Sequence, residues 1–171
     1  NGKKRQKNSK KHYFFKVLLL MIPISAFLLM SYSGGVNSGH SGSPGDGGSS
    51  CTACHSGNAN LGASASITTN IPSGGYDLNT DYTITVNSTS SSSKLGFQLT
   101  AENGSNTKVG SFIAGSGSKV SGQRITHSSP STSGDWSFTW KSPATNQGNV
   151  IFYTAVNATN GNGGTSGEIG R

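Results

Sequence analysis

Cys51, Cys54 and His55 are the residues whose types and spacing could do chemistry. The chain has two cysteines in 171 residues, three positions apart and followed at once by a histidine, in Cys51-Thr52-Ala53-Cys54-His55. That is the spacing used for covalent c-type haem attachment. Two thiols add to the haem vinyl groups, and the short tether leaves the next imidazole beneath the iron as an axial donor. The expectation is one covalent haem c, with Cys51 and Cys54 as thioether sulfurs and His55 as proximal ligand.

The second axial position narrows by elimination. Both methionines, Met21 and Met30, fall in the N-terminal apolar run, so cleavage there leaves His40 and His127. His127 ends a strand-like run before Ser128-Ser129-Pro130, whereas His40 sits in a Gly/Ser stretch that reads as mobile. His127 is therefore the candidate second ligand and His40 the alternative. Three other uses of the cysteines stay open. A Cys51–Cys54 disulfide suits an exported chain but closes a tiny loop and stabilises little. Zinc would need Cys51, Cys54, His55 and one distant histidine, without a second half-site. A thioredoxin-like pair expects a helix start in a βαβ setting, which these Gly-rich surroundings do not offer.

The formal charge of +7 looks like a nucleic-acid signal until the basic residues are located. Lys3, Lys4, Arg5, Lys7, Lys10, Lys11 and Lys16 all precede the apolar run, and from Gly34 onward six basic residues balance six acidic ones, 6 − 6 = 0. A neutral body lacks the basic stripe that neutralises phosphates, which sets nucleic-acid binding aside. Lys3 to Lys16 followed by the apolar Val17 to Met30 and Ser31-Tyr32-Ser33 reads as a secretory signal peptide over 1–33. The apolar stretch falls short of the roughly 20 residues that cross a bilayer. A membrane association is expected only through that leader or a missing C-terminal anchor. Asn1 is not an initiator Met, and a new alternation begins near Arg171, so the expectation is a chain clipped at its start that lacks a final strand.

The elements that must position the motif are strands. Apolar residues are 31% and charged residues 11%, with Gly, Ser, Thr and Asn abundant, which favours turns and short strands over amphipathic helices. Residues 34–62 form a Gly/Ser-rich segment that reads as a flexible approach to the cysteines, and 63–171 as the folded domain. Alternation is clearest at Tyr82, Ile84 and Val86, at Leu95, Phe97 and Leu99, and at Trp136, Phe138 and Trp140. Ser64 to Thr69 begins this period-two pattern, and Ser111 to Ala114 and Gln123 to His127 make two weaker strands. Val150 to Val156 is apolar on both alternating sets, as in a strand covered on both sides. The fold class is all-β, an antiparallel β-sandwich. Trp136 and Trp140 are read as core, and the Asn87, Asn103 and Asn157 glycosylation patterns carry no function. No paired carboxylates, Ser/His/Asp constellation or phosphate-cradling loop stands in a convincing context.

Two stretches carry a family resemblance: Gly45-Asp46-Gly47-Gly48 leading into Cys51 to His55, and Leu95-Gly96-Phe97-Gln98-Leu99 through Ile125-Thr126-His127 to Trp136, Phe138, Trp140 and Pro143. The likeness continues through Val150 to Asn157. The chain resembles the bacterial choice-of-anchor V proteins, whose sandwich is similar to the Reeler domain. That resemblance implies export, a Reeler-like or immunoglobulin-like sandwich, and a C-terminal surface anchor of variable type, common in Bacteroidetes-like bacteria that use type 9 secretion. The functional expectation from the residues is an exported monohaem c-type cytochrome-like electron carrier at the cell surface or in the periplasm, working with an unidentified redox partner. The alternative is a non-catalytic surface binding or adhesion module with a local Cys51–Cys54 disulfide. A third class is a haem enzyme or gas sensor with an open sixth position.

Overall fold

A computed structural model of the chain describes residues 34–55, 62–92, 94–161 and 169–170. The expected leader lies outside the described residues. Among the described residues nine strands alternate with turns: β1 (Ser64–Thr69), β2 (Asp81–Thr89), β3 (Lys94–Asn103), β4 (Ser111–Ile113), β5 (Ser118–Ser121), β6 (Arg124–His127), β7 (Asp135–Lys141), β8 (Val150–Thr159) and β9 (Ile169–Gly170). They form two antiparallel sheets, ordered β1-β2-β7-β4 and β5-β6-β3-β8-β9. This is the expected sandwich. The alternating triplets lie in β2, β3 and β7, the weaker runs shorten to β4 and β6, and β5 appears where no alternation signalled a strand. Among the described residues the helical pieces are two 3-10 turns, Pro44–Asp46 and Cys51–Ala53.

Register explains the core. β2 pairs with β7 so that Tyr82 faces Trp140, Ile84 faces Phe138 and Val86 faces Trp136. The inward face of this strand pair is thus mostly aromatic and branched. The opposing sheet contributes Leu95, Phe97, Leu99, Ile125 and Val156, all buried. Phe97 closes the sandwich, with its ring centroid 4.6 Å from Trp136 and 5.7 Å from Phe138. Each large side chain buried this way contributes about 1.5–3 kcal/mol.

β3 departs from a one-sided strand. Its polar set, Gln98, Thr100 and Glu102, is as buried as its apolar set, with at most 1% exposure. The cover is the segment 34–48, which the Gly/Ser composition marks as a flexible approach but which is a strap lying on the outer sheet face. Gln98 Nε2 donates to Val36 O at 2.9 Å and to Ser38 O at 3.0 Å, and its Oε1 accepts from His40 N at 2.5 Å. Gly45 N donates to Glu102 Oε2 at 3.0 Å. A Cβ at Gly45 would run into Glu102 and Asn106, so glycine sets the closeness of the approach.

Candidate functional site

The Cys51-to-His55 stretch is a tight turn. Ser50 caps it by accepting from Thr52 N at 3.3 Å, and Cys51 O accepts from both Cys54 N at 3.3 Å and His55 N at 3.0 Å. The turn packs beside β8 and β9. Cys51 and Cys54 are free thiols, the first half-buried and the second exposed. Burial pushes the Cys51 thiol up to about 12, so it stays protonated and unreactive at neutral pH. In the reduced chain, iodoacetamide at mildly alkaline pH is expected to label Cys54 first and Cys51 only after unfolding, as read by mass spectrometry; equal labelling would contradict this placement.

The remaining predicted ligands are engaged elsewhere. His127 Nδ1 lies 3.0 Å from Phe97 N, which donates to it, and 3.1 Å from Phe97 O. Its ring lies over Gly96, where a Cβ would come 2.5 Å from Cε1, so the imidazole is packed on backbone. Burial, outweighing the hydrogen bonding to Phe97, holds His127 below its ordinary pKa and in the neutral form. His40 belongs to the strap, with Nδ1 3.2 Å from Ser38 Oγ. Among the described residues no three His, Cys, Asp or Glu side chains come together as a group able to hold a metal ion.

An open cleft lies at one end of the sandwich and contains none of those residues. Pro72 and Gly75 close a turn with a 3.0 Å bond between O and N, sending the chain from β1 towards β2. The facing loop after β7 folds on Asn146, whose Oδ1 accepts from Gly148 N at 2.8 Å. Tyr76 ties the two loops: its Oη donates to Gly148 O at 3.1 Å and accepts from Gln147 N at 3.2 Å. A second tie runs through Ser142, which donates to Asp77 O at 2.6 Å and accepts from Thr80 N at 2.8 Å. Between the loops opens a cleft of about 600 Å³ lined by Ile71, Gly74 to Leu78, Trp140, Asn146, Gly148 to Val150 and Phe152.

Aromatic residues form its inner wall. Tyr76 and Phe152 each stand edge-on to Trp140, at 83° and 82°, with centroids 5.5 Å and 5.1 Å away. Trp140 is fully buried, while Tyr76 and Phe152 keep part of their surface open. Its lining carries a single charged side chain, Asp77, and no Lys, Arg or His. Sequence reasoning missed this site because Pro72-Ser73-Gly74-Gly75 and Asn146-Gln147-Gly148-Asn149 are turn-type residues with no spacing that signals chemistry. The available signal was Tyr76, an aromatic placed inside a turn cluster instead of a strand. Removing its hydroxyl in Tyr76→Phe should lower stability by about 1 kcal/mol and speed amide exchange at Gln147 and Gly148; unchanged exchange there would show that the loops do not depend on the tie.

Comparison with known proteins bears on both regions. The Reeler domain model matches residues 49–161. Among solved structures, the chain is similar to the human F-spondin reeler domain (fragment 1) at 21% identity and a TM-score of 0.45, covering 54% of this chain and 74% of that one. It is also similar to the Reelin-N domain of F-spondin at 20% identity and a TM-score of 0.49, covering 62% and 80%. No curated protein matches the chain. The match takes in Cys51 to His55, and the predicted ligands do not converge. The electron-carrier function expected from that motif is therefore corrected: the alternative expectation, a β-sandwich module, fits the Reeler match and this geometry better. His127 is held by Phe97 and His40 by the strap, so among the described residues neither joins Cys51, Cys54 and His55 in a group able to hold a metal ion. With the model covering most of its length, the chain belongs to the Reeler domain family.

Proposed function

We propose that this protein is an exported, non-catalytic binding module that takes its ligand in the cleft between the 71–78 and 146–152 segments. The carrying observation is preorganisation: Tyr76 Oη and Ser142 Oγ fix both loops across the cleft before any ligand arrives. A cleft near 600 Å³ with an aromatic wall and a few polar groups lies within the range of small-ligand sites. Loops fixed in place lose less conformational entropy on binding. The basic n-region and apolar h-region of the leader support export, to the cell surface or the periplasm.

Gly74 offers a clean test, because a Cβ there meets nothing within 4 Å and its backbone conformation suits any residue. Gly74→Trp should fill the cleft and leave the fold intact. On arrays of immobilised glycans, peptides and lipids, capture by the full chain should be lost in Gly74→Trp at unchanged melting temperature. Capture that survives the filled cleft would place binding elsewhere on the molecule.

A further inference from the structure

We infer that the cleft takes a neutral saccharide, an assignment that rests on the cleft being the binding site. Charge excludes the commonest alternatives. With Asp77 as the sole charged side chain in the lining, a phosphate, sulfate or carboxylate ligand would be desolvated against a like charge with no cation to receive it. The ligand is thus neutral or cationic.

The polar groups match hydroxyls. The Asp77 carboxylate and the Asn149 carboxamide are both exposed, and neither has a hydrogen-bond partner among the described residues. Asn146 spends its Oδ1 on Gly148 N and keeps its amide N–H groups. A carboxylate accepts at two oxygens, while a carboxamide both donates and accepts, which suits adjacent hydroxyls that must do both. Gly74, Gly75 and Gly148 present backbone with no side chain in the way.

The apolar half fits the same ligand. Tyr76 and Phe152 leave ring surface open to the cleft, and the C–H face of a pyranose carries the partial positive charge that an aromatic face attracts. A quaternary ammonium would also favour aromatic rings beside a carboxylate. It is disfavoured because the indole, the best cation-binding face, is fully buried, and the two remaining rings border an open cleft, not an enclosing cage. Binding by open faces and hydroxyl contacts suits a short run of sugar units in an oligosaccharide.

Calorimetric titration of the full chain with neutral hexasaccharides of glucose and of N-acetylglucosamine tests this directly. A heparin hexasaccharide and tetramethylammonium serve as anionic and cationic comparators. At least one neutral hexasaccharide should bind, with affinity falling about tenfold or more, about 1.4 kcal/mol, in Asp77→Asn and in Asn149→Ala. Both substitutions change exposed side chains, so melting temperature should hold. Binding by tetramethylammonium or heparin alone overturns the saccharide and leaves the cleft as a binding site. Saccharide binding that persists in Gly74→Trp overturns the cleft itself. Silence of every probe overturns the saccharide assignment, while the array experiment still judges the module.

Discussion

Arg124→Met is expected to lower stability by about 3 kcal/mol and to release the strap over 34–48. Asp46 anchors that strap, and its side chain is fully buried. Arg124 Nε donates to Asp46 Oδ1 and Oδ2 at 3.0 and 3.1 Å, and Nη2 donates to Oδ1 as well. Lys108 Nζ lies 2.8 Å from Asp46 Oδ1 and 3.1 Å from Glu102 Oε1, giving a neutral cluster of two acids and two bases. Removing one partner leaves a buried carboxylate short of counter-charge, which costs far more than an exposed ion pair gives. Urea denaturation should show the lost stability, and limited proteolysis should cut the strap first. An unchanged midpoint would mean that Lys108 alone satisfies Asp46.

The same cluster sets the acid response. Burial pushes the Asp46 carboxyl up, but hydrogen bonds from Arg124, Lys108 and Ser41 outweigh it and hold the group far below the ordinary range. Glu102 is likewise lowered, its burial outweighed by Ser43, the Gly45 N–H and Lys108. Because both folded-state values are depressed, the stabilisation is fully present above the unfolded carboxylate pKa, about 4. It is lost as pH falls from there towards the folded-state values. Arg124→Met should flatten that acid limb, since Asp46 then has less to lose.

Trp140→Ala should cost about 3–5 kcal/mol and dismantle the cleft together with the core. The indole is fully buried, lies 6.3 Å from Tyr82 between ring centroids, and is touched edge-on by Tyr76 and Phe152. Its Nε1 donates to Val109 O at 3.2 Å, so truncation also leaves a carbonyl unpaired. Tyr76 would then lose its wall, and with it the geometry of the tie to Gly148. Chemical denaturation gives the stability change, and Trp140→Phe, which keeps most of the packing, should recover part of it. A loss below about 1 kcal/mol would show that the core collapses around the hole.

The sandwich was legible where period two places side chains without help from distant residues. Tyr82, Ile84 and Val86 face Trp140, Phe138 and Trp136 because both triplets are strictly alternating, and only one register brings the two apolar sets together. The strap was not legible. Its glycines and serines read as slack chain, and the partners that hold it, Arg124 and Glu102, lie 78 and 57 positions from the residues they bind. Gln98, Thr100 and Glu102 accordingly look like a solvent-facing set, although they are buried polar groups satisfied by that strap. The Cys51–His55 motif poses the opposite case: its local spacing is complete, but the electron-carrier function read from it is not what the Reeler match supports, and His127 is turned onto Phe97. The cleft stayed hidden because its walls come from two turn clusters brought together across the sheets by Tyr76 and Trp140.

Hydrogen–deuterium exchange of the full chain, with and without a captured ligand, asks most directly whether the cleft is where this Reeler module works. Protection is expected at Tyr76 to Leu78 and at Asn146 to Phe152, with Cys51 to His55 unchanged. Protection centred on Cys51 to His55, with the cleft segments untouched, would contradict it.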